Sequence, residues 1–162
     1  MLTGGEIARR RIVAPDAELV DEQVQPNGID LTLDALWVLR GAGRLGRDPD
    51  DRVLPEREPI ASKTDGWFEL SLGDYVLRFA EVVAVPLDCG GLVFPRSSLL
   101  RMGVHVPTAV WDAGYRGRGE SLLRVANPAG LRVQQGARIA QLVLFRLPEQ
   151  TRAYQGRHQE DC

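Results

Sequence analysis

The sequence predicts a mainly β domain with one short helix at its N-terminus, and three observations carry that expectation. From about residue 15 onward, short apolar runs rich in Val, Leu and Ile alternate with Gly, Pro, Asp and Asn, the punctuation of strands and turns. Ahead of them, Thr3 and Glu6 stand at capping-box spacing before Ile7, Ala8, Ile12 and Val13, so a short helix opens the chain and ends before Pro15. The 162 residues, 44% of them hydrophobic, suffice for one domain that buries its own core without disulfide or metal staples.

Taken in order, the strands fall at Ile29–Leu36, Trp67–Leu70, Asp74–Arg78, Glu81–Val85, Gly91–Val93, Ser121–Val125 and Ile139–Phe145. None exceeds about ten residues, the usual strand length. Seven such strands separated by turn signals imply a sandwich, a jelly roll or a barrel. The stretch from Gly41 to Gly66 is polar, with Arg44, Asp50, Asp51, Glu56, Arg57 and Glu58 close together, and reads as a solvated loop or hairpin excursion. Residues 1–147 therefore form the β domain. Residues 148–162 form a polar tail, expected to be mobile until something orders it.

Composition narrows the function. Twenty Lys and Arg against 22 Asp and Glu leave a net charge of -2, which gives no general attraction for nucleic acid or an anionic membrane. Any anionic ligand must be held by a local pocket. Cys89 and Cys162 have neither CxxC spacing nor a disulfide framework, the N-terminus lacks a cationic-then-apolar leader, and no apolar run approaches the ~20 residues needed to span a bilayer. These features point to a cytoplasmic, soluble protein. P-loop, HExxH and zinc-deaminase signatures are all missing, and His105 and His158 have no partner at metal-ligand spacing.

Four segments are more polar or glycine-rich than a plain β core needs. Gln25-Pro26-Asn27-Gly28-Ile29-Asp30-Leu31 is a turn delivering Asp30 into the start of a strand; read alone, Asp30 is an exposed strand position. Pro95-Arg96-Ser97-Ser98-Leu99-Leu100 can open a helical turn whose N–H groups and hydroxyls hold an anion, or can be a simple serine cap. Ala109-Val110-Trp111-Asp112-Ala113-Gly114-Tyr115-Arg116-Gly117 places a carboxylate for water activation, an aromatic wall and a cation in one short loop. Gly136-Ala137-Arg138-Ile139-Ala140-Gln141-Leu142 begins a strand, with Arg138 and Gln141 three apart and on opposite faces if the strand is regular.

In this order and at these separations the four segments resemble the dUTPase and dCTP deaminase superfamily, from Leu2-Thr3 through Tyr154-Gln155-Gly156. The N-terminal helix and the tail are similar to the deaminase branch and to archaeal dUTP diphosphatases. The resemblance implies a distorted jelly roll, or β-clip, assembled as a homotrimer with shared active sites, and hydrolysis of dUTP to dUMP and pyrophosphate. It implies a site in which Asp112 activates the attacking water and Asp30 supports the water or metal shell. Arg96, Ser97, Ser98, Arg138 and Gln141 would hold the triphosphate, while Val110, Trp111 and Tyr115 would line the base and sugar pocket. Tyr154, Gln155 and Gly156 would close the site, and Mg²⁺ would ride on the triphosphate and waters with no direct protein ligand.

The same superfamily contains dCTP deaminases, whose water-activating glutamate lies on the strand after the Gly-Tyr turn. Here that position falls on Leu123 or Arg124, and neither is a general base at neutral pH. Glu120 is the one nearby carboxylate. Its glycine neighbours favour a turn, whereas a bulged strand would let it reach the pocket. Deamination, a bifunctional enzyme and a non-catalytic nucleotide-binding trimer therefore stand as alternatives to diphosphatase chemistry.

Overall fold

A computed structural model describes residues 1–156 and residue 159; His158, Cys162 and the tail's Arg157 lie outside the described residues. Helix α1 (Gly4–Arg9) starts where expected, the Thr3 hydroxyl accepting from the Glu6 N–H at 3.2 Å. After a 3₁₀ turn at Asp21–Gln23 come β1 (Val24–Gln25), β2 (Gly28–Arg40), β3 (Glu56–Pro59), β4 (Trp67–Leu70), β5 (Gly73–Ala84) and β6 (Cys89–Pro95). A second helix, α2 (Ser97–Arg101), follows, then β7 (Val104–His105), β8 (Val110–Trp111), β9 (Arg116–Val125), β10 (Leu131–Gln134) and β11 (Arg138–Arg146). No helix among the described residues is long and apolar enough to cross a membrane.

Strand β2 is the spine of the fold. Its first half pairs antiparallel with β11, from Ile29↔Leu142 to Thr32↔Arg138, and its second half with β5, from Leu33↔Phe79 to Trp37↔Val76. The register shifts between Leu33 and Ala35, a bulge that lets one strand serve two sheet halves. The strand path β7-β9-β5-β2-β11-β6-β8 curls into the distorted jelly roll. Ile7, Ile29, Leu31, Leu33, Phe79, Leu123 and Leu142 are buried in the core that the curl encloses. A separate ribbon, β4 with β10, closes one side.

The structure departs from the sequence reading in three ways. Asp74–Arg78 and Glu81–Val85 fuse into the 12-residue β5, and β2 runs to 13 residues. The fusion passes through an irregularity between Arg78 and Val82 where buried Glu81 breaks the apolar pattern. Its carboxylate accepts from Gln23 Nε2 at 2.7 Å, from the Thr32 N–H at 2.9 Å and from the Thr32 hydroxyl at 2.7 Å, so a polar residue is fully satisfied inside the sheet.

Secondly, β1, β3, β7, β8 and β10 add to the seven expected strands. They are two to four residues long, and β3 is exposed throughout, too short or too polar to leave an alternating signature. Thirdly, α2 makes a second helix. Its N-cap is Arg96 with no side-chain cap, rather than either serine. The 41–66 excursion is a folded-back hairpin: Arg44 bridges Val53, and β3 pairs with the end of β2 from Trp37↔Pro59 to Arg40↔Glu56.

Candidate functional site

The loop joining β8 to β9 is pinned at both ends. The Gly114 N–H donates to the Val85 carbonyl and the Val85 N–H to the Tyr115 carbonyl, each at 2.8 Å, and the Tyr115 N–H donates to the Asp112 carbonyl at 3.1 Å. Gly114 takes a φ of 78°, a left-handed turn that glycine enters without steric cost. The turn leaves Asp112 exposed and aims Tyr115 edge-on at Trp111, with ring centroids 5.3 Å apart. Trp111 is buried and also faces Phe79 at 6.2 Å.

These residues border a cavity of about 350 Å³. Trp111, Asp112 and Tyr115 form one side, with Ala109 and the exposed Val110 at its rim. Arg118, Gly119 and Glu120 of β9 form another, Tyr154 of the tail a third, and Leu54 and Arg57 reach in from the excursion. Upstream of the loop, Val104–His105 pairs with β9 and Val110–Trp111 with β6. Of these residues, Val110 and Trp111 line the cavity.

Glu120 lies in a strand, not in a turn. It pairs with Arg78 immediately before the β5 irregularity, and its carboxylate accepts two hydrogen bonds of 2.7 Å from Arg57 Nη1. Of the two positions where the deaminase glutamate was sought, Leu123 is buried in the core and Arg124 points out toward Asp74 at 3.7 Å.

A second polar centre forms where β2, β11 and β6 lie side by side. Register places Asp30 opposite Gln141 and Gln141 opposite Phe94, two residues before Arg96. Asp30 is only 2% exposed, so the exposed-strand reading does not hold. Its carboxylate meets Arg96 Nε at 3.1 Å and Arg138 Nη1 at 3.5 Å. Burial pushes its pKa above the usual carboxylate range, and the two arginines offset only part of that shift.

Arg138 also donates to the Glu22 carbonyl. The register shift between Arg138 and Ala140, with the burial order half-buried, buried, buried, half-buried over residues 138–141, shows that β11 is not regular there. Arg138 and Gln141 consequently share one face instead of taking opposite ones. Ser97 and Ser98 open α2 just after Arg96, and the Ser97 hydroxyl accepts from Arg101 at 3.4 Å.

The tail docks on its own chain. The Tyr154 N–H donates to the Ala113 carbonyl at 2.8 Å, the Thr151 N–H to the Leu87 carbonyl at 3.2 Å, and the Tyr154 ring lies edge-on to Tyr115 at 5.9 Å. Ala153 packs over Gly114, where an added Cβ would lie 2.7 Å from the Ala153 Cβ. Tyr154 thus completes a ladder with Tyr115 and Trp111. Gln155 and Asp112 both line a groove along the tail, and Gly156 follows in sequence.

Within one chain, then, Asp112, Val110, Trp111, Tyr115 and Tyr154 come together, as do Asp30, Arg96, Arg138 and Gln141, but the two groups stay apart. Among the described residues the cavity lining includes none of the arginine centre. Nor do any three His, Cys, Asp or Glu side chains among them gather as a metal site. Sequence reasoning missed Leu54, Arg57 and Arg118 as cavity residues. Leu54 and Arg57 sit in a stretch with every mark of a solvated loop, and only the pairing of β3 with β2 brings them in.

The family model described as dCTP deaminase-like matches residues 1–147. A protein of Methanosarcina mazei is 43% identical over 142 residues, 87% of this chain and 83% of the relative. One from Aeropyrum pernix is 47% identical over 137 residues, 84% of each chain, and one from Archaeoglobus fulgidus 40% identical over 161 residues, 96% of this chain and 94% of the relative. All three carry the name probable deoxyuridine 5'-triphosphate nucleotidohydrolase. Among solved structures, a 2'-deoxycytidine 5'-triphosphate deaminase from Agrobacterium tumefaciens superposes with a TM-score of 0.66 at 23% identity. That match covers 88% of this chain but 46% of the other, and it shows the shared fold alone.

Proposed function

This chain belongs to the dCTP deaminase-like family, and from that premise we propose that it is a dUTP diphosphatase, hydrolysing dUTP to dUMP and pyrophosphate. The observation that carries this reading is Asp112: an exposed carboxylate at the margin of an aromatic cavity, with no carboxylate at Leu123 or Arg124. The names of the archaeal relatives support the same choice. A cavity of about 350 Å³ suits a nucleoside. The edge of Tyr115 packs against the deoxyribose, Trp111 closes the floor, and Val110 and its backbone flank the base.

Hydrolysis needs a water aligned with the bond between the α and β phosphates. Asp112 accepts the water's proton as the new P–O bond forms, and pyrophosphate leaves with the electrons of the broken bridge. Arg96 and Arg138, oriented by Asp30 and joined by Ser97, Ser98 and Gln141, take up the phosphate charge. The separation of this centre from the chain's own cavity is compatible with a site completed between subunits; that the assembly is a cytoplasmic homotrimer rests on the family resemblance. The tail closes over bound dUTP and excludes other water.

The donor set fits a metal carried by substrate rather than a protein cage, since Asp112 is a lone exposed carboxylate beside the cavity and the carboxylates of Asp30 and Glu120 are held by arginines. When bound, Mg²⁺ would supply charge neutralisation on the triphosphate, with Asp112 and waters nearest to it.

Glu120 in the cavity wall keeps a second reading alive, deamination of dCTP with or without diphosphatase activity. Pyrophosphate release from dUTP and ammonia release from dCTP, measured on one preparation with Mg²⁺, decide between them. The expected result is pyrophosphate from dUTP and little ammonia from dCTP. Comparable ammonia release would replace this reading with deamination.

A further inference from the structure

The 3₁₀ turn at Asp21–Gln23 lies at the surface, with Asp21 and Glu22 exposed, yet Gln23 is only 6% exposed. Its Oε1 accepts from the Val20 N–H at 3.3 Å, while its Nε2 donates to the Asp30 carbonyl at 3.0 Å and to Glu81 Oε1 at 2.7 Å. Both amide hydrogens are thereby used. The buried side chain ties an exposed turn to β2 on one side and to β5 on the other.

Glu81 sits at the irregularity of β5. There Phe79, Ala80 and Glu81 stand against Gly119 alone, because Arg78 pairs with Glu120 and Val82 with Arg118, and such a bulge re-aims a side chain out of the regular alternation. Glu81 reaches β2 where that strand passes from β5 to β11, and it accepts from both the N–H and the hydroxyl of Thr32, the residue paired with Arg138. The two contacts that orient Arg138 come from the same place. Its guanidinium donates to the carbonyl of Glu22, the residue before Gln23, and meets the carboxylate of Asp30, whose backbone carbonyl Gln23 holds.

We propose that Glu81, acting through Gln23 and Thr32, is a positioning residue for phosphate binding by Arg138. The Arg138 side chain is 31% exposed, so water and other rotamers compete for its guanidinium, and its direction is fixed by the Glu22 carbonyl and the Asp30 carboxylate. Glu81 fixes both of these in turn, by holding Gln23 against β5 and Thr32 in register. An arginine fork held in advance loses less freedom when it meets an anion. Cutting the link between Gln23 and Glu81 releases the turn that carries Glu22, and a displacement of about 1 Å in a group that aligns substrate is enough to lose most of its effect. Glu81 thereby supports triphosphate affinity from β5 without touching substrate; this rests on the diphosphatase reading, which gives Arg138 a triphosphate to hold.

The test uses the full chain with Gln23→Leu, Glu81→Gln, Arg138→Ala and the double variant Gln23→Leu/Arg138→Ala. Affinities for α,β-imido-dUTP and for dUMP, which lacks the β and γ phosphates, are measured by calorimetry beside the thermal midpoint. Gln23→Leu keeps the bonds between Glu81 and Thr32 and cuts only the arm to the turn. It is expected to weaken the triphosphate analogue by about tenfold and to leave dUMP within about twofold. Glu81→Gln, which turns a donor toward Thr32 or Gln23, gives the same selective loss with a lower midpoint. The double variant binds the analogue no more weakly than Arg138→Ala, because the arm acts through that arginine. Additive losses in the double variant, or a parallel fall in dUMP affinity, would show that Gln23 and Glu81 only support the fold and would overturn the inference. Wild type that binds the analogue far more tightly than dUMP without releasing pyrophosphate from dUTP would instead overturn the diphosphatase reading and leave the positioning role standing.

Discussion

The Trp111 indole fills the space beside Gly119 where a side chain would otherwise stand: a Cβ built at position 119 sinks into the outer edge of the ring. Trp111 belongs to β8, the last strand of the sheet path, and Gly119 to β9, the second. The contact therefore marks where the curled sheet closes on itself, and both residues line the cavity. Gly119→Ala forces the indole outward or the strands apart, an overpacking cost of about 1–3 kcal/mol. The thermal midpoint is expected to drop by roughly 2–10 °C, with kcat/KM for dUTP falling alongside. A melt and turnover indistinguishable from wild type would show that Trp111 does not occupy that space.

Asp30 gives a prediction with a definite sign. Its pKa is raised by burial, and Arg96 and Arg138 only partly counter this. A carboxyl with a raised folded-state pKa binds its proton more readily in the native chain than in the unfolded one. Ionised Asp30 thus costs stability above that pKa, and stability is regained as pH falls through it. Arg96 and Arg138 are about one-third exposed, so removing the carboxylate leaves them to water rather than stranding buried charge. Asp30→Asn is expected to leave the melting temperature at neutral pH unchanged or higher, and to flatten its pH dependence just above the ordinary carboxylate range. KM for dUTP should rise as the arginines lose their common anchor. A marked loss of stability at neutral pH with unaltered KM would assign Asp30 to the fold alone.

The tail's contribution is separable from the domain. Tyr154 rests on Tyr115 and donates to Ala113, the residue after Asp112. Truncation after Leu147 removes that ring and the strand of backbone across Gly114, and is expected to lower kcat by about tenfold or more through loss of site closure, with little change in the melting midpoint. Tyr154→Phe keeps the ring and should behave as wild type. If the truncated chain retains its kcat, the tail is only a docked end.

Much of this architecture could be read from residues alone, and the failures have physical causes. The helix after Thr3 and strands such as Trp67–Leu70 carry local signals, a cap and a compact apolar run, and appear as expected. The Asp112 loop was legible because its turn glycine, aromatic ring and carboxylate are contiguous. The pairing of Asp30 with Arg96 and Arg138 was not, since a bulge at Ile139 and three-strand register bring together residues 66 and 108 positions apart. Arg57 was hidden for a further reason: exposed β3 has no hydrophobic period, and nothing local distinguishes a cavity arginine from a solvated one. Glu120 was misplaced because its neighbouring glycine signals a turn, whereas here that glycine exists to admit Trp111.

Asp112 itself carries the central claim, and one comparison tests it most directly: pyrophosphate release from dUTP by wild type and by Asp112→Asn, with affinity for α,β-imido-dUTP measured on both. The substitution keeps the shape of the side chain and removes the base. The account predicts that kcat falls by about 10²- to 10⁴-fold while affinity changes by no more than a few-fold. A variant that keeps near-normal kcat would contradict it, because another group would then be activating the water.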